Sequence, residues 1–196
     1  WETGLRRALE RQEFFVQYQP QFDLNGGGVV GFEALIRWEN LESGSVLPSE
    51  FIPLLEETGL IIPVGEWILR TACAQHQAWQ EAGLPPMRIA VNISSRQFDD
   101  SELLKTIQRV MEEQCMLPEF LELEITESIL MKNSEPDIEA LQTLSRMGMR
   151  FAIDDFGTGY SSLTYLKRFP INVLKIDKAF VKDITVNVDD AAIVRA

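Results

Sequence analysis

Near the start of the chain the spacing of apolar positions changes twice. Across residues 2–13, Leu5, Ala8 and Leu9 stand at helical spacing among charges, which predicts an amphipathic lead-in helix. Across residues 14–24 and 29–38 the period drops to two, with Asn25-Gly26-Gly27-Gly28 as a strong turn between, so these stretches predict an antiparallel hairpin. In its second strand Gly31, Glu33, Leu35 and Arg37 share one face, and Phe32, Ala34, Ile36 and Trp38 share the other. Glu33 is thereby turned away from the aromatic side.

Residues 48–58 and 65–82 carry the helical period, the second ending at Gly83-Leu84-Pro85-Pro86. Residues 87–93 read as a strand, and a helix capped by Asp99 or Ser101 runs to about Met116. Alternation returns at Leu121, Leu123 and Ile125, followed by a helix over 134–147 capped by Ser134 and closed by Gly148. An apolar strand from Arg150 ends in Asp154-Asp155, then come a glycine-broken loop, a helix to about Arg168, a strand over 173–176 and a last helical start after Asp189.

Strand and helix alternate from Met87 onward, the pattern of parallel strands with crossover helices. Asn92, Glu124 and Asp154 are separated by 32 and 30 residues, and Lys175 follows 21 later, each at or near the end of its own strand. In a (β/α) barrel those strand ends form the active-site rim, where Glu33 could join them. Six strands are legible and the barrel has eight. The expectation is one barrel domain over residues 1–196, truncated or incompletely observed and lacking its C-terminal βα units.

Charge narrows the partners. The net charge of −12 is spread along the 196 residues without a Lys/Arg cluster, which argues against a nucleic acid polymer but leaves a small anionic ligand bound through a metal. No apolar run reaches the roughly 18 residues of a membrane span, so the segment is expected not to insert in a membrane, and a cytoplasmic location follows by default. Cys73 and Cys115 read as buried free thiols, and His76 as a surface or packing residue rather than a ligand.

Glu33, Asn92, Glu124, Asp154 and Asp155 offer oxygen ligands only, a set for magnesium or manganese rather than zinc. Four carboxylates could hold two ions sharing Asp154, the arrangement that cleaves phosphodiesters, with Lys175 holding the attacking water or countering developing charge. Taken alone, Asp154-Asp155 also reads as a solvated turn, Lys175 as a buried ion-pair partner of Asp154, and the oxygen set as fit for enolisation.

At these residues the chain resembles the EAL family of cyclic di-GMP phosphodiesterases. The resemblance runs through Glu33-Ala34-Leu35-Ile36-Arg37-Trp38, Val91-Asn92-Ile93-Ser94, Glu124-Ile125-Thr126-Glu127, the stretch from Asp154 to Ser162, and Leu174-Lys175-Ile176-Asp177. It implies an α/β fold, a modified (β/α)8 TIM-like barrel whose first strand is antiparallel. It further implies hydrolysis of cyclic di-GMP to linear 5′-pGpG with two divalent cations, Mg2+ or Mn2+. Glu33, Asn92, Glu124 and Asp154 would hold one ion, Asp154 and Asp155 would take part in the second, and Lys175, Asp155 and Glu33 would carry catalysis. Gln19, Leu35 and Arg37 would contact the dinucleotide. Glu127 would anchor the loop from Phe156 to Ser162, which couples the metal site to a homodimer interface. The family's catalytic glutamate would fall beyond Ala196. The resemblance also implies fusion to sensory or diguanylate cyclase-like domains, and it leaves a non-catalytic cyclic di-GMP receptor as the alternative.

Overall fold

Across β1 (Phe14–Phe22) and β2 (Val29–Asn40) the antiparallel hairpin is present, with Phe14 opposite Trp38, Gln17 opposite Leu35 and Gln19 opposite Glu33. The computed structural model describes residues 2–42, 44–132, 135–157 and 167–195. The chain divides into two units, Trp1–Glu122 and Leu123–Ala196.

In the first unit, the hairpin turn is tied by the Asp23 carboxylate, which accepts the N–H groups of Asn25 at 3.1 Å and Gly26 at 3.0 Å, while Gly27 takes φ 68°. On its other edge β2 pairs in parallel with β4 (Arg88–Ile93), Glu33 opposite Ala90, and its far end pairs with the short β3 (Gly44–Val46). Three residues carry too little periodicity to announce a strand, so β3 was not expected from the sequence. On the aromatic face of β2, Ala34, Ile36 and Trp38 are buried and Phe32 is half-buried. Trp38 lies 5.7 Å from both Phe14 and Phe51, its indole donates to the buried Glu13 carboxylate at 3.0 Å, and Phe32 packs at 4.6 Å on Trp79. The lead-in helix α1 (Glu2–Glu10) buries Leu5 and Ala8.

The helix α2 (Pro48–Thr58) starts on a proline at its first position and ends at Gly59 with φ 79°. The next, α3 (Ile61–Glu81), begins four residues before the predicted start, because Gly65 lies inside it. There the glycine makes room for a neighbour: a Cβ on Gly65 would meet Gln97 Nε2 at 1.9 Å. Gln97 belongs to α4 (Ser95–Phe98), a short helix that the sequence reading passed over and that a Ser94/Gln97 capping box starts. After it comes α5 (Leu103–Glu113). His76 is a packing residue, 3% exposed with its ring 5.2 Å from Phe120. Cys73 is buried, but Cys115 is exposed, because it follows the end of α5 in a turn with φ 51° rather than lying inside a helix.

In the second unit β6 (Arg150–Phe156) is flanked by β5 (Leu121–Thr126), whose first two residues fall in the first unit, and β7 (Val173–Ile176). The alternation in β5 predicts one solvated face, yet Glu122 is 4% and Glu124 1% exposed. Strands of parallel sheets are covered on both faces, and a sequence pattern does not show what covers them. A helix α6 (Glu127–Lys132) precedes α7 (Glu135–Arg146), and α8 (Lys178–Lys182) and α9 (Val188–Arg195) follow β7. The expected Ser134 cap and most of the helix expected after β6 lie outside the described residues. Among the described residues no helix is long and apolar enough to cross a membrane.

Candidate functional site

Each unit carries its own set of predicted polar residues. In the first, the parallel register of β2 and β4 puts Glu33 opposite Ala90, so Asn92 lies two residues further along the same face. The Asn92 amide donates to Glu33 Oε1 at 2.9 Å. Gln19 stands directly across the hairpin from Glu33, and Leu35 directly across from Gln17. Arg37 is held twice, its Nε donating to Gln17 Oε1 at 2.9 Å and its Nη1 to the Ile36 carbonyl at 2.8 Å.

In the second unit the pairing of β6 with β7 is interrupted. Ile153 pairs with Leu174 and Phe156 with Ile176, so Asp154 and Asp155 together stand opposite Lys175 alone. This is a bulge, a feature that re-aims consecutive side chains. The carboxylate pair therefore does not end the strand, as the sequence reading had it. The strand continues to Phe156, and Asp155 absorbs the irregularity with φ 54°. That left-handed conformation is one that Asp tolerates better than most residues.

The Lys175 ammonium donates to Glu124 Oε2 and lies 3.3 Å from Asp154 Oδ1. Burial, the neighbouring Asp154 carboxylate and contact with Asp177 push the Asp155 carboxyl above the usual carboxylate range, against the opposing pull of Lys175. Glu127 is 4% exposed, and its Oε2 accepts the Gly157 N–H at 3.3 Å. Its Oε1 is buried with no hydrogen-bond partner among the described residues. Of the loop from Phe156 to Ser162, only Phe156 and Gly157 belong to the described residues.

Within the first unit the structure thus joins Glu33 to Asn92 and sets Gln19, Leu35 and Arg37 on the face that bears Glu33. Within the second it joins Glu124, Asp154 and Lys175, with Asp155 beside them. Two residues escaped the sequence reading. Asp177, which the sequence marks only as the residue after a strand, lies against Asp155 and caps α8 by accepting the Ala179 N–H at 2.6 Å. Gln17 carries no motif in the sequence, yet its diagonal register to Arg37 follows once the hairpin is aligned.

The donor set fits hard divalent cations. It contains only carboxylate and amide oxygens, and in the second unit the Lys175 ammonium contacts Glu124 and Asp154, while Asp155 lies beside Asp154 and against Asp177. Such an excess of negative charge is stabilised by a cation of higher charge than lysine can offer.

An α/β chain with mostly parallel strands and an antiparallel first strand, here in an open sheet, has the strand pattern of TIM-like barrel proteins. The chain belongs to the EAL domain family, whose model matches residues 2–196. It is 51% identical over 195 residues to an uncharacterized protein of Synechocystis sp., covering 100% of this chain and 28% of that protein. It is 44% identical over 192 residues to the bifunctional diguanylate cyclase/cyclic di-GMP phosphodiesterase MucR of Pseudomonas aeruginosa, covering 98% of this chain and 28% of that protein. Among solved structures, a MucR phosphodiesterase in complex with c-di-GMP superposes with a TM-score of 0.93 at 44% identity, over 98% of this chain and 78% of that one. The chain thus spans less than a third of the length of these two curated relatives.

Proposed function

We propose that this chain is the phosphodiesterase domain of a signalling protein and that it hydrolyses cyclic di-GMP to linear 5′-pGpG. The observation that carries the reading is the bulge of β6, which sets two aspartates opposite Lys175 in a chain of the EAL family. MucR, at 44% identity, is named for this activity. Glu33, Asn92, Glu124, Asp154 and Asp155 would hold two divalent cations, magnesium or manganese. When bound, these would supply Lewis-acid stabilisation of phosphoryl charge and a more acidic water.

The reaction breaks one P–O3′ bond. Water adds its oxygen to that phosphorus, which becomes the 5′-phosphate, and a proton ends on the departing 3′ oxygen. Lys175 donates hydrogen bonds that hold the attacking water in line, which its two carboxylate contacts prepare by fixing the ammonium. Arg37 offers a planar donor fork to a phosphate oxygen, flanked by Gln19 and Leu35. Glu127 holds the Gly157 amide and thereby the turn after Asp155. The loop from Phe156 to Ser162 would relay this site to a homodimer interface. The parent protein would carry sensory or diguanylate cyclase-like domains, in keeping with the greater length of the relatives.

The test is hydrolysis of cyclic di-GMP by the full-length protein with magnesium or manganese and with a chelator, the product read by chromatography. Metal-dependent appearance of 5′-pGpG supports the reading. Tight binding of the dinucleotide with no product under any metal overturns it in favour of a receptor.

A further inference from the structure

We propose that Gln17 is a positioning residue that fixes the Arg37 guanidinium for the dinucleotide phosphate, an inference that rests on Arg37 facing that phosphate. Arginine carries five N–H donors and no acceptor, so only the amide oxygen of Gln17 can meet Arg37 Nε at 2.9 Å. A second donor, Nη1, is tied to the Ile36 carbonyl at 2.8 Å. Two separate anchors fix both the position and the plane of the guanidinium. They leave the Nη2 hydrogens and the second Nη1 hydrogen as a fork for an anion.

Register explains how a glutamine does this. Gln17 stands opposite Leu35, and Arg37 is two residues further along the same face, the diagonal distance that long side chains span. Gln17 is exposed and Arg37 half-buried, so the contact lies on the open side of the hairpin rather than in its core. The chemistry of the partner matters as well. A carboxylate at position 17 would orient Arg37 but would neutralise the charge that attracts a phosphate, whereas the neutral amide orients it and leaves that charge intact. The amide nitrogen of Gln17, with its carbonyl engaged, keeps two N–H donors on the same face.

The experiment is a double-mutant cycle in the full-length protein with Gln17→Leu, Arg37→Ala and the pair. It reads the dissociation constant for cyclic di-GMP in chelator, and kcat and KM with metal. Arg37→Ala is expected to weaken binding about a hundredfold, and Gln17→Leu about fivefold with kcat within about twofold and an unchanged Tm. In the double variant the Gln17→Leu effect should vanish, since there is no guanidinium left to orient. Gln17→Glu should raise KM although it keeps an acceptor. Unchanged binding in Gln17→Leu, or a full fivefold effect persisting without Arg37, overturns the proposal. Unchanged binding in Arg37→Ala removes Arg37 from the phosphate site, and the role of Gln17 with it.

Discussion

Each unit holds a cluster of charged side chains, and the two are built on opposite principles. Between α3 and α5, Glu66 accepts from Arg70 Nε at 3.0 Å and from Arg109 Nη2 at 3.0 Å, and Glu113 pairs with both arginines. Two carboxylates meet two guanidinium groups, all partly exposed. In the second unit Glu124 and Asp154 share the Lys175 ammonium, Asp155 and Asp177 lie next to them, and the Glu124 side chain is wholly buried. The first cluster is complete as it stands, and its arginines hold the Glu66 and Glu113 carboxyls below the usual range. The second leaves Asp155 above that range. A balanced exposed network adds a little stability, whereas an acidic excess around one wholly buried carboxylate is a candidate site for a ligand of opposite charge.

The sharpest way to break the contrast is Asp154→Asn. If the unbalanced cluster is a metal site, turnover of cyclic di-GMP should fall by about a thousandfold or more while Tm moves little, because Lys175 keeps its contact with Glu124. A variant as active as the parent would remove Asp154 from the chemistry. Lys175→Met tests the same cluster through stability. It takes the ammonium from a buried carboxylate, and such one-sided removal costs about 3 kcal/mol. Magnesium should recover part of that loss in a denaturant titration, which no balanced surface pair would show. A loss below about 1 kcal/mol, indifferent to magnesium, would make Lys175 a peripheral partner.

How much of this was legible depends on whether a feature is periodic. The hairpin, the two faces of β2, and the strand ends bearing Asn92, Glu124 and Lys175 follow from spacing, and the structure has them there. The β6 bulge does not follow, since a period of two carries no sign of where pairing slips. For the same reason alternation alone makes Asp154-Asp155 look like a strand terminus, although β6 runs on to Phe156. Gly65 resembles a helix boundary in the sequence because the side chain that requires it, Gln97, comes from an element far along the chain. The burial of Glu122 and Glu124 was hidden too, because alternation reports chemistry along one strand and not what packs on either side.

Next in size is Gly157→Ala, which probes how tightly the turn after Asp155 is specified. Gly157 has φ 99°, and a Cβ there would meet the Phe180 ring at 3.0 Å, so alanine adds backbone strain and a clash. A loss of about 2 kcal/mol is expected, and activity should fall as well because the Glu127 contact is made by this residue's own amide. Full activity and unchanged stability would show that the turn relaxes freely.

His76 sharpens the comparison from the other side, since burial in the first unit disfavours the charged form of this titratable group. Neither ring nitrogen has a well-formed hydrogen bond among the described residues, and burial pushes the imidazole below its ordinary value, outweighing a weak upward pull from the Met87 backbone. The folded state therefore takes up a proton less readily than the unfolded chain. The stability from neutral His76 is fully present above about pH 6.5 and is lost as pH falls through the lower folded value. His76→Phe should flatten Tm against pH in the range just below 6.5, and a slope unchanged by the substitution would place the sensitivity elsewhere.

The smallest effect belongs to the balanced cluster. Glu66→Gln keeps the shape of the side chain and removes the charge that both arginines share. Because these groups are partly exposed and solvent screens them, Tm should fall by no more than about 2 °C in low salt. The difference should vanish in about 1 M salt, where the screening length is shorter than the spacing of the outer charges. The sign with pH is fixed as well. Arginine contacts hold the Glu66 carboxyl below its ordinary value, so its contribution is present above the usual carboxylate range and is lost as pH falls through the folded value. A drop as large as that of Lys175→Met, or one that persists in high salt, would mean that the α3–α5 cluster is as desolvated as the strand-end cluster, and the contrast between the two would fail.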